Sequence, residues 1–310
     1  MKITTTLLLL ILLAACNDNA NDASLLKNQL FAYDSVTDCV TASAQANDYL
    51  YIEDVEVLFC DEGEGVLDQG ALDELKTFTN LTTLGLGKST TVVEFDGKSF
   101  PYLTTFDCYE CGLITADISE NPELESFEIW GNKYLEELDF SHNPQLSTLN
   151  LSNVVIRNLV LGVHDNLTEA YLVGESFTGG SLYGALINID LTKATALERL
   201  EMMRIGATHL DLSSNTNLTS LSVWGANNLE TIDISSQKLQ EVSISDSAIA
   251  AFDTAEFTEL SFVAINGSQI AYMNFDYNLK LEMINLTNNP LSQEMMDYLD
   301  SLTRVEQVLY

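Results

Sequence analysis

The sequence predicts a solenoid of stacked, mostly extended coils, and two periodic patterns carry that prediction. Segments of the form Leu-x-x-Leu-x-Leu start at Leu81, Leu103, Leu124, Leu146, Leu167, Leu197, Leu218, Leu239, Leu260 and Leu281. Their spacings are 22, 21, 22, 21, 30, 21, 21, 21 and 21 residues, with position 170 (Ala) and a few other sites holding different apolar side chains. A second half-motif precedes the starts. Leu210-Asp-Leu-Ser-Ser-Asn215 is its clearest copy, and Ala116–Asn121, Leu138–Asn143, Ile189–Thr192 and Ile232–Ser235 match it. Both halves alternate with the period of two expected of strands, and the repeat is too short for long helices between them. One coil cannot bury its apolar face alone, but ten stacked coils form a continuous core.

Composition agrees with a folded chain and narrows its chemistry. The 310 residues hold 13 Lys+Arg against 46 Asp+Glu, a net charge of −33, and 46% are hydrophobic. An acidic disordered chain would be far less apolar. A polyphosphate partner needs a basic footprint that is missing, so nucleic acid and anionic lipid surfaces are disfavoured. Three His and five Cys leave little material for a metal site or for histidine-based catalysis.

In chain order, Met1-Lys2 precedes the apolar run Ile3–Leu13, which is short for a membrane-spanning helix. The run ends in Leu13-Ala-Ala-Cys16, which resembles the lipobox of bacterial lipoproteins. That resemblance implies removal of residues 1–15 as a signal peptide and acylation of Cys16; an ordinary secretory signal is the alternative. Asn17 rather than Asp after the Cys implies the outer membrane and a place at the bacterial cell envelope, surface-exposed or periplasmic. Residues 16–34 are polar and lack periodicity, as expected of a lipidated tether.

The repeats resemble leucine-rich repeats, specifically the short kind of internalin-like bacterial proteins, over about residues 55–310. The resemblance implies a leucine-rich repeat solenoid: a right-handed coil with a parallel concave β-sheet, mostly β, with short capping helices. Ten strands at ~4.8 Å would span on the order of 45–50 Å. Residues 35–80 read as an N-terminal cap, 81–291 as repeats and 292–310 as a C-terminal cap. Within the caps, helices are expected over Asp38–Ala46, around Leu72 and Leu75, and over Ser292–Leu302. Strands are expected at Val55–Cys60 and around Val305–Tyr310. Cys39 and Cys60 are expected to form a disulfide, because a lipoprotein passes through an oxidising compartment.

Motifs that suggest chemistry take structural places in the repeat. Cys108-Tyr-Glu-Cys111 is a C-x-x-C, but Cys108 stands at the sixth repeat position with Leu86, Ile129 and Leu151, and Cys111 at the ninth with Asn132 and Asn289. Both are inward-facing, and no second pair completes a zinc site. His164 stands three residues before a repeat start, where other coils carry Asn121, Asn143, Asn215 and Asn278, or Phe78, Phe100 and Phe257. An interior turn position accounts for both residue types. Asn-Leu-Thr sequons at Asn80, Asn166, Asn217 and Asn285 straddle repeat starts and read as by-products of the repeat. No nucleophile, base and orienting acid converge on the pattern, so an enzyme is not expected.

A ligand is expected on the concave face. Its seventh positions hold Tyr109, Trp130, Val173, Met203 and Trp224, and its fifth hold Asp107, Glu128, Tyr171 and Glu201. The candidate ligand-binding residues are Tyr109, Glu128, Trp130, Tyr171, Met203 and Trp224; exposed aromatics anchor protein partners and stack on sugars. Packing of these rings over the strand-to-turn corner is the alternative. The expected partner is a protein, or else a neutral glycan, with the membrane touched only through the lipid and the chain monomeric. The 30-residue interval after Leu167 predicts a protruding loop at 176–184, functional or neutral. Seven residues before repeat starts stand Asp96, Asp117, Asp139, Asp190, Asp211 and Asp253, with Asp233 shifted by one. This column is expected to be solvated and to aid solubility, or to hold Ca²⁺ weakly as the only cofactor.

Overall fold

A computed structural model describes residues 25–60, 67–174, 186 and 188–310. The lipobox cysteine Cys16 and the inserted loop at 176–184 lie outside the described residues.

Twelve strands form one all-parallel sheet in strict chain order. They are β1 (Val57–Cys60), β2 (Thr83–Gly87), β3 (Thr105–Tyr109), β4 (Ser126–Trp130), β5 (Thr148–Val154) and β6 (Glu169–Gly174). Then follow β7 (Arg199–Met203), β8 (Ser220–Trp224), β9 (Glu241–Ser245), β10 (Phe262–Asn266), β11 (Met283–Asn285) and β12 (Gln307–Leu309). Each repeat start leads into one of β2 to β11, and the register joins equivalent repeat positions. Phe106 thus faces Phe127, and Phe127 faces Leu149. On the opposite side of each coil the second half-motif forms short strands in three separate ladders. These are Glu94–Asp96 with Thr115–Asp117; Glu137–Asp139, Asn158–Val160 and Asn188–Ile189; and His209–Leu212 with Thr231–Ile234.

The core lies between the long sheet and these short ladders. The leucines of the repeat are buried in columns, and one end is filled by an aromatic spine. Phe95 lies 4.0 Å from Phe106, Phe106 lies 5.4 Å from Phe127, and Phe127 meets Phe140 edge-on at 5.1 Å.

A second buried column holds polar side chains. Asn143 Nδ2 donates to the carbonyls of Ile118 (2.9 Å) and Asn121 (2.8 Å) in the preceding coil. Asn121 donates likewise to Gly97 and Phe100, Asn215 to Leu191 and Ala194, and Asn278 to Thr254 and Phe257. Each bond brings a second donor to a turn carbonyl that already accepts a backbone N–H, and so ties one coil to the preceding one. Where Phe78, Phe100 or Phe257 takes this position, the ring fills the space instead, and all three are buried.

Both ends are capped. Helix α1 (Asp34–Asn47) buries Val36, Cys39, Val40 and Ala44, and a disulfide joins Cys39 to Cys60 of β1. It begins four residues before the expected Asp38 because Val36 extends the apolar face by a turn and Asp34 suits the positive helix start. Helix α2 (Gln69–Leu75) is N-capped by Asp68, whose side chain accepts from the Ala71 N–H at 2.9 Å. Helix α3 (Gln293–Ser301) is N-capped by Ser292, which accepts from the Met295 N–H at 3.1 Å. Strand β12, only three residues long, then ends the sheet as its edge strand, and so short an edge limits pairing with other chains.

Within residues 16–34, the stretch read as a tether, the described part from Leu25 onwards touches the cap. Leu25 and Leu26 are buried, the Leu26 N–H donates to the Leu50 carbonyl at 2.9 Å, and Phe31 packs on Phe78. The few apolar residues in this polar run are too short a set to show a period, yet Leu25, Leu26 and Phe31 are enough to dock on the cap.

Candidate functional site

The solvent face of the long sheet is built from alternating strand positions, so its composition follows directly from the repeat. Its seventh-position column runs in register from Tyr109 through Trp130, Ser152, Val173 and Met203 to Trp224. Tyr109 and Trp130 stack nearly parallel, with centroids 4.6 Å apart and planes at 9°. Tyr109, Trp130 and Trp224 remain 41, 37 and 39% exposed as whole residues, so the corner packing is partial. Trp224 Nε1 donates to Ser243 Oγ at 3.1 Å, which fixes its ring. Each Trp precedes a glycine at positive φ, Gly131 at 71° and Gly225 at 64°. A side chain there is strained, so the glycines let the chain turn sharply away beneath the rings.

These residues form two stations rather than one patch. Tyr109, Trp130 and Glu128 lie together on β3 and β4, and Met203 and Trp224 lie together on β7 and β8. Four strand steps separate the two Trp residues, about 19 Å. Between the stations the surface is mainly polar, with Val173 as its apolar member: Ser152 Oγ donates to Asn150 Oδ1 at 2.6 Å, and Arg199 forms an ion pair with Glu169. The Tyr171 hydroxyl donates to Glu169 at 3.3 Å. Desolvation first, then the Glu169 carboxylate, holds the Tyr171 phenol above its ordinary range, so it stays protonated as a donor. Tyr171 therefore belongs to the polar middle.

The repeat pattern does not mark Phe59. It lies on β1 in the fifth-position column, is exposed, and its ring occupies the space that a Gly85 side chain would need. Glycine at the fifth position of the first repeat is the one sequence signal that points to it.

The aspartate column has a specific structural task. Asp117 Oδ1 accepts from the Ser119 N–H at 3.0 Å, Asp139 from Ser141 at 2.8 Å, Asp190 from Thr192 at 3.0 Å and Asp211 from Ser213 at 2.9 Å. Asp96 and Asp253 make the same bond to Lys98 and Ala255, and Asn274 makes it to Asp276. The column is thus a series of Asx turns that start each descent towards the interior turn position, which holds a buried asparagine after Asp117, Asp139 and Asp211, and Phe100, Ala194 or Phe257 after Asp96, Asp190 and Asp253. The shifted Asp233 falls in register with Asp211. Hydrogen bonds from the hydroxyl and N–H of Ser119 hold the Asp117 carboxyl below its ordinary value of 3.8, and Ser141 does the same for Asp139. Among the described residues no three ligating side chains gather to hold a metal ion.

The C-x-x-C cysteines are both buried, and a disulfide joins them, closing the turn that carries Tyr109. His164 is also buried, and its Nε2 accepts from the Gly162 N–H at 3.2 Å. Burial holds its pKa below the ordinary 6.5, against the opposing pull of the Asn143 carbonyl and Asp165. A lowered folded-state value means that the unfolded chain takes up the proton first as pH falls. The stability of the neutral ring is present above pH ~6.5 and is lost on acidification through that value, levelling off below the folded-state pKa. His164→Asn, which installs the residue of four other coils, should therefore flatten the melting temperature between about pH 7 and 5. Wild-type protein should slope downwards in the same thermal melts. Equal slopes would contradict this reading. The Asx-turn carboxylates act in a separate window: their contribution holds above the ordinary carboxylate range and is lost as pH falls through their lowered values.

No protein-family model matches the sequence, and no curated protein is significantly similar to it. Solved structures do match. An internalin from Listeria monocytogenes is 16% identical with a TM-score of 0.50, the match covering 91% of this chain and 89% of that one. FLRT2, solved in an octameric complex with Latrophilin 3 and Unc5D, is 17% identical with a TM-score of 0.57 over 83% of this chain and 84% of that one. TLR13 in complex with a single-stranded RNA is 16% identical with a TM-score of 0.54, over 83% of this chain and 44% of that one.

The fold is a leucine-rich repeat solenoid.

At these identities the likeness concerns the fold alone. Leucine-rich repeats account for every column described above: apolar positions four and six inside, positions five and seven outside, and the asparagine at the turn. They do not dictate which side chains fill the outward positions, and it is there that this chain is individual.

Proposed function

We propose that this chain is a lipid-anchored leucine-rich repeat protein of the bacterial envelope, held in the outer membrane through Cys16, that binds a protein partner on the concave face of its long sheet. The observation that carries the proposal is the open Tyr109–Trp130 stack with its companion station at Met203–Trp224. Rigid, partly exposed aromatics on a sheet bury much area at little entropic cost, which suits them as anchors. The FLRT2 complex supports the reading, since a repeat domain of the same fold there assembles with other proteins. The polar strip between the stations gives orientation, through Glu169, Arg199 and Tyr171. The proposal includes no catalysis.

A net charge of −33 favours a neutral or cationic partner over a polyanion. Among the described residues no helix is long and apolar enough to cross a membrane. In this reading the lipid alone makes the membrane contact, and the chain acts as a monomer. The near-parallel stack also favours a second reading, a neutral glycan lying on the Tyr109–Trp130 surface. Residues 17–310, immobilised, should capture a discrete envelope protein, and Trp130→Ala with Trp224→Ala should weaken that capture by about a hundred-fold. Binding on a glycan array that depends on the same two residues would move the assignment to the sugar. Unchanged capture by the double variant would reject the face.

A further inference from the structure

The opposite side of the solenoid carries a second surface with its own chemistry. Strand Thr115–Asp117 pairs only with the preceding coil, and Glu137–Asp139 pairs only with the following one, so the short-strand ladder is interrupted between them. A groove of about 840 Å³ opens along this break. Its apolar surface comes from Ile114, Tyr134 and Val160, with Ile114 and Tyr134 55 and 67% exposed. Side chains of this size are normally turned inwards, and their gathering at one break marks a contact surface.

Charge identifies what fits. Four carboxylates line the groove, from Asp117, Glu136, Glu137 and Asp139, and no Lys or Arg lines it. Asp117 and Asp139 are held ionised by their Asx-turn hydrogen bonds, and His142 lies near both. Arg157 approaches Glu136 at 3.7 Å from outside the lining, which leaves Glu137, Asp117 and Asp139 to face a ligand. A second copy of this chain is a poor occupant, because two bodies each at −33 repel.

We infer that this back-face groove is a docking site for a short cationic segment of a partner protein, one that alternates Lys or Arg with aliphatic side chains. The aliphatic groups cover Ile114, Tyr134 and Val160, and the cations meet the carboxylates on either side. The site is separate from the long sheet and does not depend on what binds there.

The test uses residues 17–310 and three fluorescein-labelled pentapeptides, Lys-Leu-Lys-Leu-Lys, Lys-Ser-Lys-Ser-Lys and Glu-Leu-Glu-Leu-Glu, followed by anisotropy at about 50 and 300 mM salt. The Lys-Leu peptide should bind most tightly and the Glu-Leu peptide not at all. Ile114→Ser with Tyr134→Ser should weaken the Lys-Leu peptide by about ten-fold, and Glu137→Gln by about three-fold, while Trp130→Ala leaves it unchanged. Equal binding of the Lys-Leu and Lys-Ser peptides would mean bare attraction to an acidic protein and would overturn the inference. So would binding unaffected by the groove variants, or binding lost in Trp130→Ala. Should the double variant fail to fold, Glu137→Gln alone decides, since an exposed Glu→Gln change leaves the packing intact.

Discussion

Phe127→Ala should destabilise the protein by about 3–5 kcal/mol, the largest effect expected of any single core truncation here. Phe127 is fully buried and touches Phe106 at 5.4 Å on one side and Phe140 at 5.1 Å on the other. Removing its ring opens a cavity in the spine that joins three coils, and the register of β3, β4 and β5 leaves the neighbours no room to slide in. Solenoid coils contact mainly their neighbours, so the damage should be local. Urea titration should give the loss in stability. Hydrogen exchange should show β3 to β5 losing protection before β9 to β11, whereas uniform loss along the chain would mean that the solenoid unfolds as one unit.

Asn143→Ala should cost about 2 kcal/mol, although it removes only one polar side chain. Two bonds vanish, to the carbonyls of Ile118 and Asn121, and each carbonyl keeps only its backbone donor, the Asn121 N–H at 3.1 Å and the Leu124 N–H at 3.1 Å. The loss is that of two buried hydrogen bonds that tie this coil to the preceding one, at about 1 kcal/mol each. Asn166 is the internal control: it lies on the surface and donates to Gln145 at 3.0 Å. Asn166→Ala should change stability by no more than about 0.5 kcal/mol. Equal effects of the two substitutions in urea titration would remove the ladder from the account.

The repeat period alone makes the long sheet legible, because a strand exposes alternate residues and a stack repeats them. Tyr109, Trp130 and Trp224 share a phase, and the strand register places them in one column. Phase cannot show what a side chain bonds. The aspartates stand out as a line of charge, but their task, accepting a backbone N–H two residues on, depends on a local turn that no spacing displays. The same limit hides the bond between Cys108 and Cys111 and the role of Phe59 above Gly85. Leu25 and Leu26 escape the pattern for another reason, since two residues carry no period. The back-face groove is invisible in the sequence because it arises where pairing between two short strands stops, a property of neighbouring coils rather than of either one.

The central claim is that the long sheet's solvent face holds the partner, and site-directed photo-crosslinking tests it most directly. Tyr109→p-benzoylphenylalanine places the reactive ring beside Trp130 on that face, and Tyr277→p-benzoylphenylalanine places it at an exposed position outside the long sheet. Irradiated with envelope extract, the position-109 protein should yield a discrete adduct that disappears with Trp224→Ala, and the position-277 protein should yield none. An adduct from position 277 alone would contradict the account.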